Sequence, residues 1–174
     1  MPAYQRIVFI GFRGTGKSTI AKLVADRLGW EYISTDRLIE KTNGNKISQL
    51  VEMHGWSEFR KMEKQVIQTL KDKMQAVIDL GGGAVEDEEN MKHLKSSSLV
   101  VWLDALLDDI YERISREAAE RPFLSHTDLR DDIEYNYLRR LPQYKKFGMV
   151  SFNSSKISTE EICQLILKEI GFTP

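Results

Sequence analysis

Eight residues, Gly11-Phe12-Arg13-Gly14-Thr15-Gly16-Lys17-Ser18, constrain this chain more than any other stretch. They satisfy G-x-x-x-x-G-K-[ST] at every fixed position. They stand between an apolar run of strand length, Ile7 to Ile10, and a segment of helical period, Lys17 to Leu28. A strand that turns through glycines into a helix presents inward-facing backbone N–H groups at the positive end of the helix dipole, a cradle for phosphates. Gly14, Thr15, Gly16, Lys17, Ser18 and Thr19 are therefore candidate ATP contacts. Lys17 is placed to bridge the β- and γ-phosphates and Ser18 to offer its hydroxyl to Mg2+. A plain glycine turn with a solvated lysine accounts for neither the full pattern nor its context. The pattern is silent on what receives a phosphoryl group.

The remaining chain repeats the strand-then-helix alternation. Strand-length runs occur at Tyr32 to Ile33, Ala76 to Leu80, Leu99 to Leu103 and Met149 to Phe152. Helical spacing appears from Trp56 to Lys73 and from Leu106 to Ser115, with a turn at Asn43 to Lys46. It returns after Ser158-Thr159-Glu160-Glu161, which has capping-box form before Ile162, Leu165, Ile166 and Ile170. Such alternation implies an α/β fold whose parallel sheet is joined by right-handed βαβ crossovers. At 174 residues, 41% of them hydrophobic, the chain can bury one sizeable core, so a single domain over 1–174 is expected. The charged, aliphatic-poor stretch from about 116 to 131 has the character of a closing lid.

Composition narrows the partners. With 25 basic against 26 acidic residues the chain has no global field to hold a nucleic acid, so phosphate binding must be local. Cys163 is the only cysteine, which excludes an intrachain disulfide and a thiolate zinc site and suits a reducing compartment. No apolar run approaches a membrane span. A cytoplasmic protein, acting as a monomer, is expected.

In such a sheet, ligands bind beyond the carboxyl ends of the strands. Asp36, after the second strand, can accept or align the proton of an attacking hydroxyl; alternatively it caps a helix beginning at Arg37. Gly81-Gly82-Gly83 after the third strand lets a substrate press against bare backbone N–H groups, or is a flexible turn. Arg60 and Glu63 share a helix face, as a bidentate carboxylate site or as an ordinary surface ion pair. Arg121 in the lid, and Arg139-Arg140 before Pro142, are either solvated side chains or donors to charge on a transferring phosphoryl group.

Taken together, these segments resemble the shikimate kinase family of P-loop small-metabolite kinases, relatives of the nucleoside monophosphate kinases. The likeness runs in order through Gly11 to Ser18, Thr35-Asp36, Glu58-Phe59-Arg60, Gly81-Gly82-Gly83-Ala84-Val85, Arg121-Pro122 and Arg140-Leu141-Pro142-Gln143-Tyr144. The resemblance implies a three-layer αβα fold with a five-stranded parallel sheet in the order 2-3-1-4-5, a substrate-binding segment over about 36–64 and a lid that closes on ATP. It implies Asp36 at the attacking shikimate hydroxyl, Arg60 and Arg140 on the substrate carboxylate, Gly82 and Gly83 lining the site, and Arg121 on the ATP phosphates. The implied products are ADP and shikimate 3-phosphate, a step of aromatic amino acid biosynthesis.

Two departures stand out. The family usually carries Asp-x-Asp after strand two, its first Asp reaching Mg2+ through bound water. This chain has Ser34-Thr35-Asp36, which leaves the task to Asp36 or Asp79. The segment Asn153-Ser154-Ser155-Lys156 lacks the basic pair and proline often found beside adenine. Arg113 and Arg116 are both candidates to stack there, spacing does not choose between them, and Arg116 is the expected contact. Alternatives are a related kinase for quinate, gluconate or a nucleotide, the last kept in play by Trp56 and Phe59, or a nucleotide-binding regulatory module without turnover.

Overall fold

The computed structural model describes residues 4–117 and 128–172. Five strands, β1 (Arg6–Ile10), β2 (Glu31–Ser34), β3 (Ala76–Asp79), β4 (Ser98–Asp104) and β5 (Val150–Asn153), form one parallel sheet in the order β2-β3-β1-β4-β5. This is the expected order. Every residue of β1 is buried, as befits the middle strand of a sheet covered on both faces.

Strand periodicity sorts the core into two layers. Ile7 and Phe9 of β1 pack with Ile20 and Val24 of α1 (Lys17–Leu28) and with Ile162 and Ile166 of α7 (Thr159–Glu169). Val8 and Ile10 point the other way. They meet Ile67 of α3 (Ile47–Thr69), Leu94 of α4 (Glu88–Lys95), Ile110 of α5 (Leu107–Glu117) and Ile133 of α6 (Leu129–Phe147). Each aliphatic side chain so buried contributes about 1.5–3 kcal/mol, which is what holds helices to both faces.

Ser158 caps α7 by accepting from the Glu161 N–H, as its sequence form anticipates. The helix expected from Trp56 does begin there, but α3 starts earlier and is broken at Gly55 (φ 78°, ψ 166°). α2 (Thr35–Asn43) and α4 are helices that periodicity alone does not announce. The alternative role of Asp36 as a helix cap is overturned. Ser34 is the N-cap of α2, accepting from the Arg37 N–H at 3.4 Å, and Asp36 lies inside the first turn.

The chain leaves β1 toward β2 and β3, then returns to place β4 and β5 on the other side. The crevice at that reversal lies beyond the carboxyl ends of the strands, where the loops after β1, β2 and β3 converge. Among the described residues, no helix is long and apolar enough to cross a membrane. Arg121 and positions 118–127 of the expected lid lie outside the described residues.

Candidate active site

The phosphate loop curls because Gly14 (φ 78°) and Gly16 (φ 89°) adopt left-handed backbone conformations, and Gly16 then opens α1. Thr15 is fully buried, its hydroxyl donating to the Phe12 carbonyl at 2.8 Å. The Lys17 ammonium, 7% exposed, lies inside the curl and donates to the carbonyls of Gly11 (2.8 Å) and Phe12 (3.0 Å). Ser18 and Thr19 are exposed on the first turn of α1.

Ser18 faces a carboxylate. Its hydroxyl donates to Asp79 Oδ2 at 2.6 Å, and the Tyr32 hydroxyl donates to the same oxygen at 3.1 Å. Burial, with the Asp79 charge next, pushes the Tyr32 hydroxyl up to about 12, so it remains a donor at neutral pH. Asp79 ends β3, is 5% exposed, and pairs in register with Ser34 of β2. The ladder thus sets a carboxylate directly across from the neutral residue of the Ser34-Thr35-Asp36 segment. Among the described residues no group of three or more His, Cys, Asp or Glu forms a protein cage for a metal. One hydroxyl and one carboxylate beside a phosphate cradle are a hard-oxygen set suited to Mg2+, which keeps most of its waters and takes the rest from phosphates.

The β2–α2 turn is tied to the end of β3 by buried Thr35. Its hydroxyl donates to the Asp79 carbonyl at 3.3 Å and accepts from the Gly81 N–H at 3.0 Å. That tie brings two carboxylates over Gly81: a Cβ there would lie 2.7 Å from Asp36 Oδ1 and 2.8 Å from Glu63 Oε1. Glu63 is 1% exposed, and burial raises its carboxyl to about 7 against the pull of Arg60, with Asp36 adding to the rise. Its Oε2 accepts from Arg60 Nη1 at 2.7 Å. The Arg60–Glu63 pair is therefore half inside the protein, and the surface ion pair that the spacing also allowed is not what forms.

Arg60 is held on three sides, with Glu63 at one edge and the rings of Trp56 and Phe59 within 5.5 and 5.4 Å. Gly83 completes the slot, since a Cβ on it would lie 2.1 Å from Arg60 Nη2. Phe59 itself is 2% exposed and edge-packed on Trp56, so it offers no open platform for a nucleobase.

Arg140, on α6, is 3% exposed and lies over the Phe12 ring at 5.6 Å, with its Nε donating to Glu86 Oε1. Tyr144, one turn on, donates to the Gly82 carbonyl at 2.6 Å and clips α6 to the glycine loop. Pro142 lies within α6 and does not end it. Arg60, Glu86, Arg139 and Arg140 together line a cavity of ≈350 Å³, of the size that takes a small metabolite.

Of the two arginines offered for adenine, the structure brings Arg113 to the loop and leaves Arg116 out. Arg113 donates to the Gly14 carbonyl (3.0 Å) and to Ser154 Oγ (3.1 Å), while Ser154 donates to the Thr15 carbonyl. Arg116 is paired with Glu112, its side chain 74% exposed. One turn of helix separates them, and only three-dimensional packing tells which face meets the loop. Glu86 and Tyr32 carry no pattern that marks them in the sequence.

The family model described as shikimate kinase matches residues 13–171. The chain is 36% identical to the shikimate kinase of Thermodesulfovibrio yellowstonii over 95% of this chain and 94% of that one. It is 35% identical to that of Persephonella marina over 90% of each. Among solved structures, the shikimate kinase of Acinetobacter baumannii in complex with shikimate superposes with TM-score 0.89 at 27% identity, covering 96% and 93% of the two chains. That of Aquifex aeolicus gives 0.81 at 31% identity over 95% and 96%. A match along nearly the whole chain, joined to a phosphate cradle that opens beside a two-arginine pocket, places this protein in the shikimate kinase family.

Proposed function

We propose that the chain transfers the γ-phosphoryl group of ATP to the 3-hydroxyl of shikimate. One observation carries this reading: Arg60 and Arg140 line a single small cavity next to the glycine loop, and Asp36 meets that loop at Gly81. Two guanidinium groups suit one carboxylate, and a carboxylate side chain suits one hydroxyl.

In this reading Lys17 and the N–H groups of Gly14 to Ser18 hold the β- and γ-phosphates and offset the charge that spreads over the transferring group. Asp36 takes or aligns the proton of the attacking hydroxyl. Arg60 and Arg140 grip the acceptor carboxylate against Gly82 and Gly83, and segment 36–64 forms one wall of the acceptor site. Arg121 would approach the phosphates from the lid. Arg113 replaces Arg116 as the arginine on the adenine side. Mg2+, when bound with ATP, neutralises phosphate charge, and Ser18 and Asp79 are the residues that would hold it and its waters. The bond from Ser18 to Asp79 supports Asp79 over Asp36 for this task, while Asp36 lies near Gly81 and Glu63. Every group in this scheme belongs to one chain, so a monomer suffices.

The test is a coupled ADP-release assay across shikimate, quinate, gluconate and AMP. Shikimate-dependent release at least tenfold above the others is expected. Tight ATP binding with no acceptor-dependent release would instead identify a nucleotide-binding module without turnover.

A further inference from the structure

Glu86 has no assigned part in the scheme above, yet it is the carboxylate that lines the acceptor cavity. It ends the short turn Ala84–Glu86, three residues beyond Gly83, and it serves two consecutive guanidinium groups. Arg140 Nε donates to Oε1, and Arg139 donates to Oε2 through Nη1 at 3.0 Å and to Oε1 through Nη2 at 3.1 Å. Arg139 is steadied in turn by Asn136 Oδ1 at 3.1 Å. Side-chain exposure separates the pair: 4% for Arg140 and 46% for Arg139.

We infer that Glu86 is a positioning residue for acceptor recognition: it fixes the Nε edge of Arg140, so that the terminal nitrogens remain as a ready bidentate edge for a carboxylate. This inference rests on the acceptor reading above. Arginine has a long, flexible stem, and ordering it at the moment of binding lowers affinity. Phe12 beneath the guanidinium sets its plane, and Glu86 sets its rotation within that plane. Arg60 is also paired with a buried carboxylate, but through a terminal nitrogen, Nη1, which donates to Glu63 Oε2 at 2.7 Å. The pocket therefore holds two arginines, each paired with a protein carboxylate.

The opposite role makes the opposite prediction. If Glu86 merely occupied the arginine in place of the substrate carboxylate, removing it would tighten binding.

The experiment is steady-state kinetics of E86A and E86Q with shikimate and with shikimate methyl ester, together with thermal melting to confirm folding. For E86A the KM for shikimate should rise about tenfold or more, while the KM for ATP moves less than twofold. E86Q keeps an acceptor oxygen for Nε and should fall between E86A and the wild type. The methyl ester lacks the charge that Arg140 reads, so its KM should change less than twofold. A folded E86A or E86Q whose KM for shikimate falls or stays put overturns the inference, as does an equal loss with the ester. Wild-type protein without shikimate-dependent ADP release defeats the acceptor reading and this inference together; wild-type turnover with unaltered variants defeats this inference alone.

Discussion

Gly83→Ala isolates the geometry of the acceptor site from every other source of disruption. Gly83 has φ −93° and ψ −4°, a conformation open to alanine, so the backbone carries no strain after substitution. The added Cβ, however, would lie 2.1 Å from Arg60 Nη2, 2.4 Å from Cζ and 2.6 Å from Nη1. Ordinary carbon contacts begin near ~3.5 Å, so the guanidinium must retreat by on the order of 1 Å. It cannot simply slide, because Glu63 holds Nη1 at 2.7 Å and two rings flank it. A misplacement of about 1 Å in a positioning group costs roughly 100-fold. The KM for shikimate should therefore rise about 100-fold, which is about 2.7 kcal/mol, with the KM for ATP unchanged. Coupled ADP release at varied shikimate measures this, and calorimetric titration with shikimate checks it. Gly82→Ala separates the two causes: its Cβ would lie 3.3 Å from the nearest protein atom and does not touch Arg60, so any loss there reports contact with the acceptor and not displacement of the arginine. In an Arg60→Ala background, Gly83→Ala should add little, since the group it displaces is gone. A Gly83→Ala enzyme with shikimate KM within threefold of the wild type would refute the slot as drawn.

Lys17→Ala should lower turnover by two or more orders of magnitude and leave the melting temperature within a few degrees, because the ammonium faces the loop and not the apolar core; unaltered kcat would remove Lys17 from its role. Asp79→Asn should abolish the tightening of ADP binding by Mg2+ seen in titration calorimetry. Adding Ser34→Asp should restore part of it, since the two positions face each other in the ladder and Asp also caps a helix; equal tightening in wild type and Asp79→Asn would sink the assignment. Glu63 makes a pH prediction. Its folded-state value is raised above the ordinary carboxyl range to about 7, so the stability it contributes is present below about pH 4.5 and is lost as pH rises toward 7. Thermal melting across that window should show Glu63→Gln gaining on the wild type as pH rises, and parallel curves would count against the buried, raised carboxyl.

The phosphate loop, the α/β class and the strands that build it were legible in linear order because their signals are local. Glycines at fixed offsets and repeats of two and 3.6 residues operate within a dozen positions. Place at strand ends points to Asp36, Gly82 and Gly83, whereas Arg60 and Arg140 stand out only through the resemblance to the family, since spacing alone allows each to be an ordinary surface side chain. Packing decided the remainder. Whether Asp36 or Ser34 capped α2 depended on which side chain turned back to the Arg37 N–H. That Asp79 faces Ser18 follows from the β1–β3 register, which pairs Phe9 with Asp79 at the root of the phosphate loop and brings together residues 61 apart in sequence. Arg113 finds Gly14 across 99 residues and Arg140 finds Glu86 across 54. No repeat in the chain encodes such pairings. They arise when two layers of helices close on a twisted sheet, and the burial of apolar faces, not the charges themselves, chooses which polar groups meet.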